Sequence, residues 1–150
     1  MTLFHKIKTL IGRCDVSRQR CELQLVNDER RRQAFMGEIT ALQRHNEGMR
    51  QLIELERPQG QLDRAQLFLH QRRLAVLRRK IHEMQIQEKK LNQEVEELSR
   101  QMREMQARRQ HWHRQQEKYQ RWADRQRQQR RVIQLRQDEI EMQETITWKF

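Results

Sequence analysis

The stretch Glu56-Arg57-Pro58-Gln59-Gly60-Gln61-Leu62-Asp63 decides the fold, because it is the one strong break in a chain of 150 residues. Proline cannot continue a helix interior, and a nearby glycine favours a turn. Asp63 is a good helix N-cap, and Gln66, three residues on, can complete a capping box. One helix is therefore expected to end near Glu56 and another to begin near Arg64. A connection this short makes two long helices antiparallel neighbours.

The composition on either side fits thin helices better than a globule. Charged residues make up 35% of the chain and aromatics 5%. That leaves too little apolar surface for a thick core. A seam between two helices needs apolar residues at only about two positions in seven. Downstream of Asp63 such a seam runs through Leu67, His70, Leu74, Leu77, Ile81 and Met84. It continues in the same alternation of threes and fours through Leu91, Leu98, Met105, Trp112, Tyr119, Ala123 and Gln126 to Ile140. A repeat this long predicts a coiled coil. No proline or glycine interrupts it, so a helix over about 64–146 would be roughly 120 Å long at 1.5 Å per residue.

The first arm is less regular. Leu25, Phe35, Ile39, Leu42, Met49 and Ile53 share one stripe, interrupted by Asp28, Arg32 and Asn46. Leu3, Ile7, Leu10, Cys14 and Cys21 read as a stripe shifted by one residue, which predicts a stutter between Cys14 and Leu25. Gly37 and Gly48 each cost up to about 1 kcal/mol in a helix interior, so this arm should be the softer one. Cys14 and Cys21 sit seven residues apart. On a helix that is roughly 10 Å, too far for a disulfide without unwinding, and buried thiols are expected.

The expected architecture is all-α: a single two-helix antiparallel coiled-coil hairpin over residues 1–150, with helices at about 3–56 and 64–146 and a turn at about 57–63. If the turn centres near Gly60, residue i faces roughly 120 minus i, and the first arm runs out opposite Gln116. The rest of the longer C-terminal helix would overhang. Its stripe is weaker, with Gln126, Arg130 and Gln137 on it, so it should fray alone or be held by another protein. Trp112, Tyr119 and Trp122 are expected either to close the seam against Leu3, Phe4 and Ile7 or to anchor a partner, as aromatics do in interface hot spots.

The formal net charge is +11. Such a surface suits nucleic acid, anionic lipid or an acidic protein. The cations concentrate between Arg100 and Arg136, and an acidic patch of Asp138, Glu139, Glu141 and Glu144 follows. Near the turn, Phe68 and Ala75 lie beside the seam, with Leu69 and Val76 adding apolar surface beyond what two helices need. Catalytic chemistry is not expected. The four glycines are scattered, so no phosphate-cradling loop forms. His111 and His113 point to different sides of a helix and cannot make a metal pair. Neither Ser17 nor Ser99 has a nearby His and Asp, and two helices offer no concave pocket. No apolar run reaches the roughly 18 residues of a membrane span, and Met1 to Leu10 lacks a signal-peptide core, so a cytoplasmic protein without cofactor, metal or membrane insertion is expected.

Three short patterns resemble a known family. They are Lys6-Ile7-Lys8 with Leu10, Arg13, Cys14, Cys21 and Glu22; Leu74-Ala75-Val76-Leu77-Arg78-Arg79-Lys80-Ile81; and Trp112 followed by Tyr119-Gln120-Arg121-Trp122 and Arg125-Gln126. Together they are similar to the InvI branch of the type III secretion central-stalk proteins, with the flagellar FliJ and injectisome YscO proteins more distant. The likeness covers nearly the whole chain, including the turn. It implies an antiparallel two-helix stalk that enters the pore of a hexameric export ATPase and links it to the cytoplasmic domain of the inner-membrane export gate. Some relatives also handle substrate chaperones. On this resemblance the ATPase contact would use Leu3, Ile7, Leu10, Arg114, Lys118, Arg121, Arg125, Arg127, Arg130 and Arg131. The gate contact would use Phe68, Arg72, Ala75 and Arg79, two of them arginines where the family presents an aromatic and apolar face. The rival readings are a secretion chaperone or structural coiled-coil subunit, and a basic nucleic-acid-binding coiled coil. Against the last, DNA-reading helices usually fork from a parallel zipper, whereas the turn here makes a hairpin.

Overall fold

The computed structural model describes residues 2–57 and 60–149, which form two helices, α1 (Leu3–Leu55) and α2 (Arg64–Lys149). The protein is all-α, and its second helix is the longer. Pro58 and Gln59, on which the expected break turns, lie outside the described residues. Before them α1 closes as the Glu56 amide donates to the Leu52 carbonyl at 3.0 Å and that of Arg57 to Glu54 at 3.3 Å. After them Gly60 has φ 105°, a left-handed conformation that glycine takes without strain.

Both helix starts are capped by side chains. The His5 amide donates to Thr2 Oγ1 at 3.4 Å, with Thr2 as the N-cap of α1. At α2 the Gln66 amide donates to Asp63 Oδ1 at 2.7 Å, and the Asp63 amide donates back to Gln66 Oε1 at 3.4 Å. This is the capping box expected from the sequence, satisfying amides that have no intrahelical partner.

The contacts group into two compact units, one of residues 25–104 and one that brings the start of α1, through Gln24, together with α2 from Met105 onward. In the first unit the inward positions of α1 are the predicted ones, Leu25 through Ile53, and those of α2 run from His70 to Met102. Ile39 and Leu98 are the deepest apolar side chains. Polar positions on the stripe are partnered in different ways. Gln43 Nε2 donates across the seam to Glu88 Oε1 at 2.9 Å. Asp28 is buried, 4.0 Å from Arg31. Asn46 is buried and its Oδ1 accepts no hydrogen bond. A polar group in this position lowers stability but disfavours slipped registers.

The register differs from a turn symmetric about Gly60. Glu88 stands opposite Gln43, where a symmetric fold would have put Leu77. The closure of the hairpin is likewise displaced: Glu56 lies 3.8 Å from His70 Nδ1 and 3.9 Å from Arg73. Residues 61–69 are all exposed, Leu67 of the expected seam among them, so the first turns of α2 are unpaired and the inward positions begin at His70.

In the second unit Phe4, Ile7, Ile11, Cys14, Arg18 and Cys21 turn inward, while Leu3 is 63% exposed. These positions alternate by threes and fours and lead into Leu25 without a slip. The expected stutter is therefore absent. Cys14, Cys21, Asp28 and Phe35 are successive heptad positions; Phe4 and Ile11 complete the stripe before them, with Leu10 half-buried beside Ile11 and Leu3 exposed. Arg18 escaped notice because a charge on a seam is unexpected. It holds its place by pairing with Asp15 at 2.7 Å and Glu22 at 3.3 Å while its stem covers apolar surface. On α2 the inward positions are Met105, Arg109, Trp112, Gln116, Tyr119, Ala123 and Gln126. Every described side chain from Arg127 to Trp148 is exposed.

No described large side chain is fully buried, so stability comes from many half-covered positions. Gly37 and Gly48 face open space, and a Cβ at either meets nothing within 4 Å. Gly37→Ala and Gly48→Ala should each stabilise the chain by about 0.5–1 kcal/mol, whereas Ile39→Ala should cost about 2–4 kcal/mol. Urea unfolding followed by far-ultraviolet circular dichroism checks both directions.

Candidate functional site

Outward chemistry concentrates in two places, one in each unit. In the unit of residues 25–104, Phe68, Arg72, Ala75 and Arg79 recur at helical spacing and share one face of α2. All four are exposed, Phe68 to 63%. Arg79 Nε donates to Glu83 at 3.3 Å, an exposed pair of the kind that contributes little to stability. The apolar surface here is wider than the sequence suggests. Leu52, Leu69, Arg72, Val76 and Leu77 line a shallow groove, and Leu55 is 81% exposed. Leu52 and Leu55 were missed because neither falls on the α1 stripe; two leucines off the seam in the last turn of a helix were the available signal.

In the other unit Arg114, Lys118, Arg121, Arg125, Arg127, Arg130 and Arg131 are all exposed. Ile7 and Leu10 are half-buried, so of the apolar residues assigned to this contact only Leu3 stands clear. Phe4 lies under three cations. The Lys8 ammonium is 5.2 Å from the ring centre, and the Arg127 and Arg130 guanidinium groups are at 5.6 and 5.1 Å. This cation–π cluster joins the first turn of α1 to α2 and fixes two of the arginines over a ring. It also locates the end of pairing at Arg127 and Arg130, beyond the expected Gln116.

The same offset moves the aromatic residues inward. Trp112 and Tyr119 are flanked by Leu10, Cys14 and Val16, not by Leu3, Phe4 and Ile7. Together with Arg13, Arg20 and His111 they line an open groove of about 880 Å³. Trp122 is half-buried beside the seam. His111 packs edge-on against Trp112 at 5.2 Å, while His113 Nε2 reaches Glu117 at 3.1 Å. Among the described residues no three His, Cys, Asp or Glu side chains group as a metal site would need. No helix among them is long and apolar enough to cross a membrane.

The perturbed titrations follow local pairing. The Arg32 hydrogen bond holds Glu29 below the ordinary carboxylate range, and Arg100 does the same for Glu97. Burial pushes the Cys14 thiol above its ordinary value. The two carboxylates are held by pairing within their own helices, and Cys14 borders the groove beside Trp112 and Tyr119.

The distinctive side chains of both units face outward. The chain belongs to the family described as Salmonella surface presentation of antigen gene type M protein, whose model matches residues 5–146. It is thus a protein associated with type III secretion, from a family of structural components of the secretion apparatus. No curated protein and no solved structure matches it.

Cys14 and Cys21 provide a chemical probe of the unit that carries the basic surface, since both are buried free thiols. The folded chain should alkylate slowly at neutral pH, because the thiolate is the reactive form and burial suppresses it at Cys14. The sign is that of a raised thiol: its contribution to stability is complete below the unfolded value and is lost as pH rises through the folded one. Iodoacetamide labelling followed by mass spectrometry should therefore accelerate with urea, and at high pH Cys14 labelling should accelerate as well.

Proposed function

We propose that the chain is the central stalk of a type III export apparatus, standing at its cytoplasmic base between a hexameric export ATPase and the cytoplasmic domain of the export gate. The observation that carries this reading is the run of α2 from Arg127 to Trp148, exposed throughout and opening on Arg127, Arg130 and Arg131. A helix that outruns its internal partner and carries unneutralised cations is suited to an acidic bore. Long side chains adapt to successive subunits, and screened charges attract without locking one register. Arg114, Lys118, Arg121 and Arg125 extend the same basic surface, with Leu3 as the apolar member. Ile7 and Leu10 act in this reading mainly as seam residues, holding α1 against α2.

The gate contact falls to Phe68, Arg72, Ala75 and Arg79. Support comes from the exposure of Phe68 beside an apolar groove, since an aromatic ring held outside a two-helix seam suits a partner's pocket. The two arginines make this contact more polar than an aromatic face and suit acidic groups around such a pocket. In this role the protein performs no chemistry and needs no cofactor or small molecule. It couples hydrolysis to gate opening through contact, and substrate chaperones are further candidates for the same outward surfaces.

Co-purification with the export ATPase tests the first contact. The full chain should raise ATPase activity and promote hexamer formation. The triple variant Arg127→Glu, Arg130→Glu, Arg131→Glu should lose most of that effect. Unchanged hydrolysis and assembly with the unsubstituted chain would remove the ATPase half of the reading. Phe68→Ala should weaken capture of the gate's cytoplasmic domain about tenfold while leaving the ATPase response intact.

A further inference from the structure

The groove beside Trp112 and Tyr119 is set apart by its charge. Its apolar lining comes from Leu10, Cys14, Val16, Trp112 and Tyr119, and its basic lining from Arg13, Arg20 and His111. No carboxylate borders it. Residues 3–24 and 105–126 hold four carboxylates, Asp15, Glu22, Glu117 and Asp124. Each is engaged on its own helix: Asp15 and Glu22 with Arg18, Glu117 with His113, and Asp124 with Gln120. Arg13 and Arg20 pair with no carboxylate among the described residues.

Helical position explains the separation. Asp15 and Glu22 follow the inward Cys14 and Cys21 by one residue, whereas Arg13 and Arg20 precede them by one. On α2, Glu117 and Asp124 follow the inward Gln116 and Ala123, whereas His111, Lys118 and Arg125 precede the inward Trp112, Tyr119 and Gln126. Acids and unpaired cations therefore fall on opposite sides of the seam. Counting from Phe4 beneath Arg127, the antiparallel helices bring Lys6 level with Arg125, Arg13 with Lys118 and Arg20 with His111. The groove runs between two matched rows of basic side chains.

This geometry selects an occupant. From Thr9 to Arg20 the groove follows α1 for about 16 Å, roughly three helical turns. An apolar floor between two basic rows complements a helix whose apolar stripe is flanked by carboxylates, the helix-in-groove mode of recognition. Trp, Tyr and Arg are also the side chains that dominate binding energy at protein contacts. A nucleic acid would meet the same cations, but stacking of bases needs open ring faces. Trp112 and Tyr119 are half-buried, and His111 already packs against Trp112. We propose that this groove docks an acidic amphipathic helix of a partner protein, which lies lengthwise between α1 and α2. The proposal does not rest on the stalk reading. It shares Lys118 and Arg125 with the ATPase contact, but Arg13, Arg20 and Trp112 lie outside that contact.

The probe is a synthetic helical peptide of about four turns, with leucines at three- and four-residue spacing and glutamates on either side of them. In the full chain carrying Trp122→Phe and Trp148→Phe, Trp112 is the one remaining tryptophan. At physiological salt the peptide should bind and move Trp112 emission to the blue. A scrambled peptide of the same composition keeps the charge and loses the stripe, and should bind about tenfold more weakly. Arg13→Glu with Arg20→Glu should weaken binding by about tenfold or more. Ser17→Phe, which fills the groove and removes no charge, should do the same with the circular dichroism unchanged. Arg114→Glu with Arg121→Glu makes the same change of charge away from the groove and should cost much less. Equal binding of the scrambled peptide, an equal loss from the Arg114 and Arg121 pair, or an unmoved Trp112 band would overturn the proposal. So would a single-stranded oligonucleotide of equal charge that shifts Trp112 as strongly, which marks a nucleic-acid groove. The ATPase is absent from every measurement, so these failures are separate from failure of the stalk contact.

Discussion

Everything in this protein depends on a seam one side chain wide. With about two residues in seven available for burial, the helices cannot build a core in depth and must build one in length. The absence of any fully buried large side chain among the described residues is the direct result. Each layer contributes modestly, so a polar layer is affordable where it has a partner. Glu88 has Gln43 across the seam, and Arg18 has Asp15 and Glu22 along its own helix. Local cost remains at two buried atoms without a hydrogen bond, Asn46 Oδ1 and Arg18 Nε, and a polar group on the seam disfavours slipped registers in return.

The same economy explains why distinctive chemistry lies outside. A seam consumes few side chains and leaves the rest of each helix to solvent. Arginine and glutamine dominate that outer surface, where ion pairs at three- and four-residue spacing add solubility more than stability. Aromatic and aliphatic residues in such a setting stand out physically. Phe68 and Leu55 near the turn, and Leu135 and Met142 late in α2, each expose apolar surface that neither helix covers.

The helix boundaries and nearly all of the α2 stripe could be read from the sequence, because a heptad repeat and a capping box are local signals. The described inward residues of α2 follow the predicted positions from His70 to Gln126. What the sequence concealed was how the helices align. Registry depends on the path of the connection, and a Pro-Gly pair indicates that a bend exists without fixing its span. That difference displaced Trp112 and Tyr119 from the opening turn of α1 and carried the end of pairing to Arg127. The supposed stutter had another cause. Alternative apolar residues, Leu3 beside Phe4 and Leu10 beside Ile11, offered two readings of one face, and hydrophobicity alone could not choose. The basic and turn-proximal surfaces were legible as composition; their extension onto Leu52 was not, because it requires two helices in register.

The three cations above Phe4 give the open end of the paired helices an unusual fastening. A hydrophobic clasp would demand shape complementarity, and a carboxylate clasp would spend the positive charge it captured. An aromatic ring does neither: it holds Lys8, Arg127 and Arg130 by its quadrupole and leaves their charge undiminished. The junction is thereby closed and still cationic. It ties the first turn of α1 to α2 while the positive field around it stays available to whatever approaches.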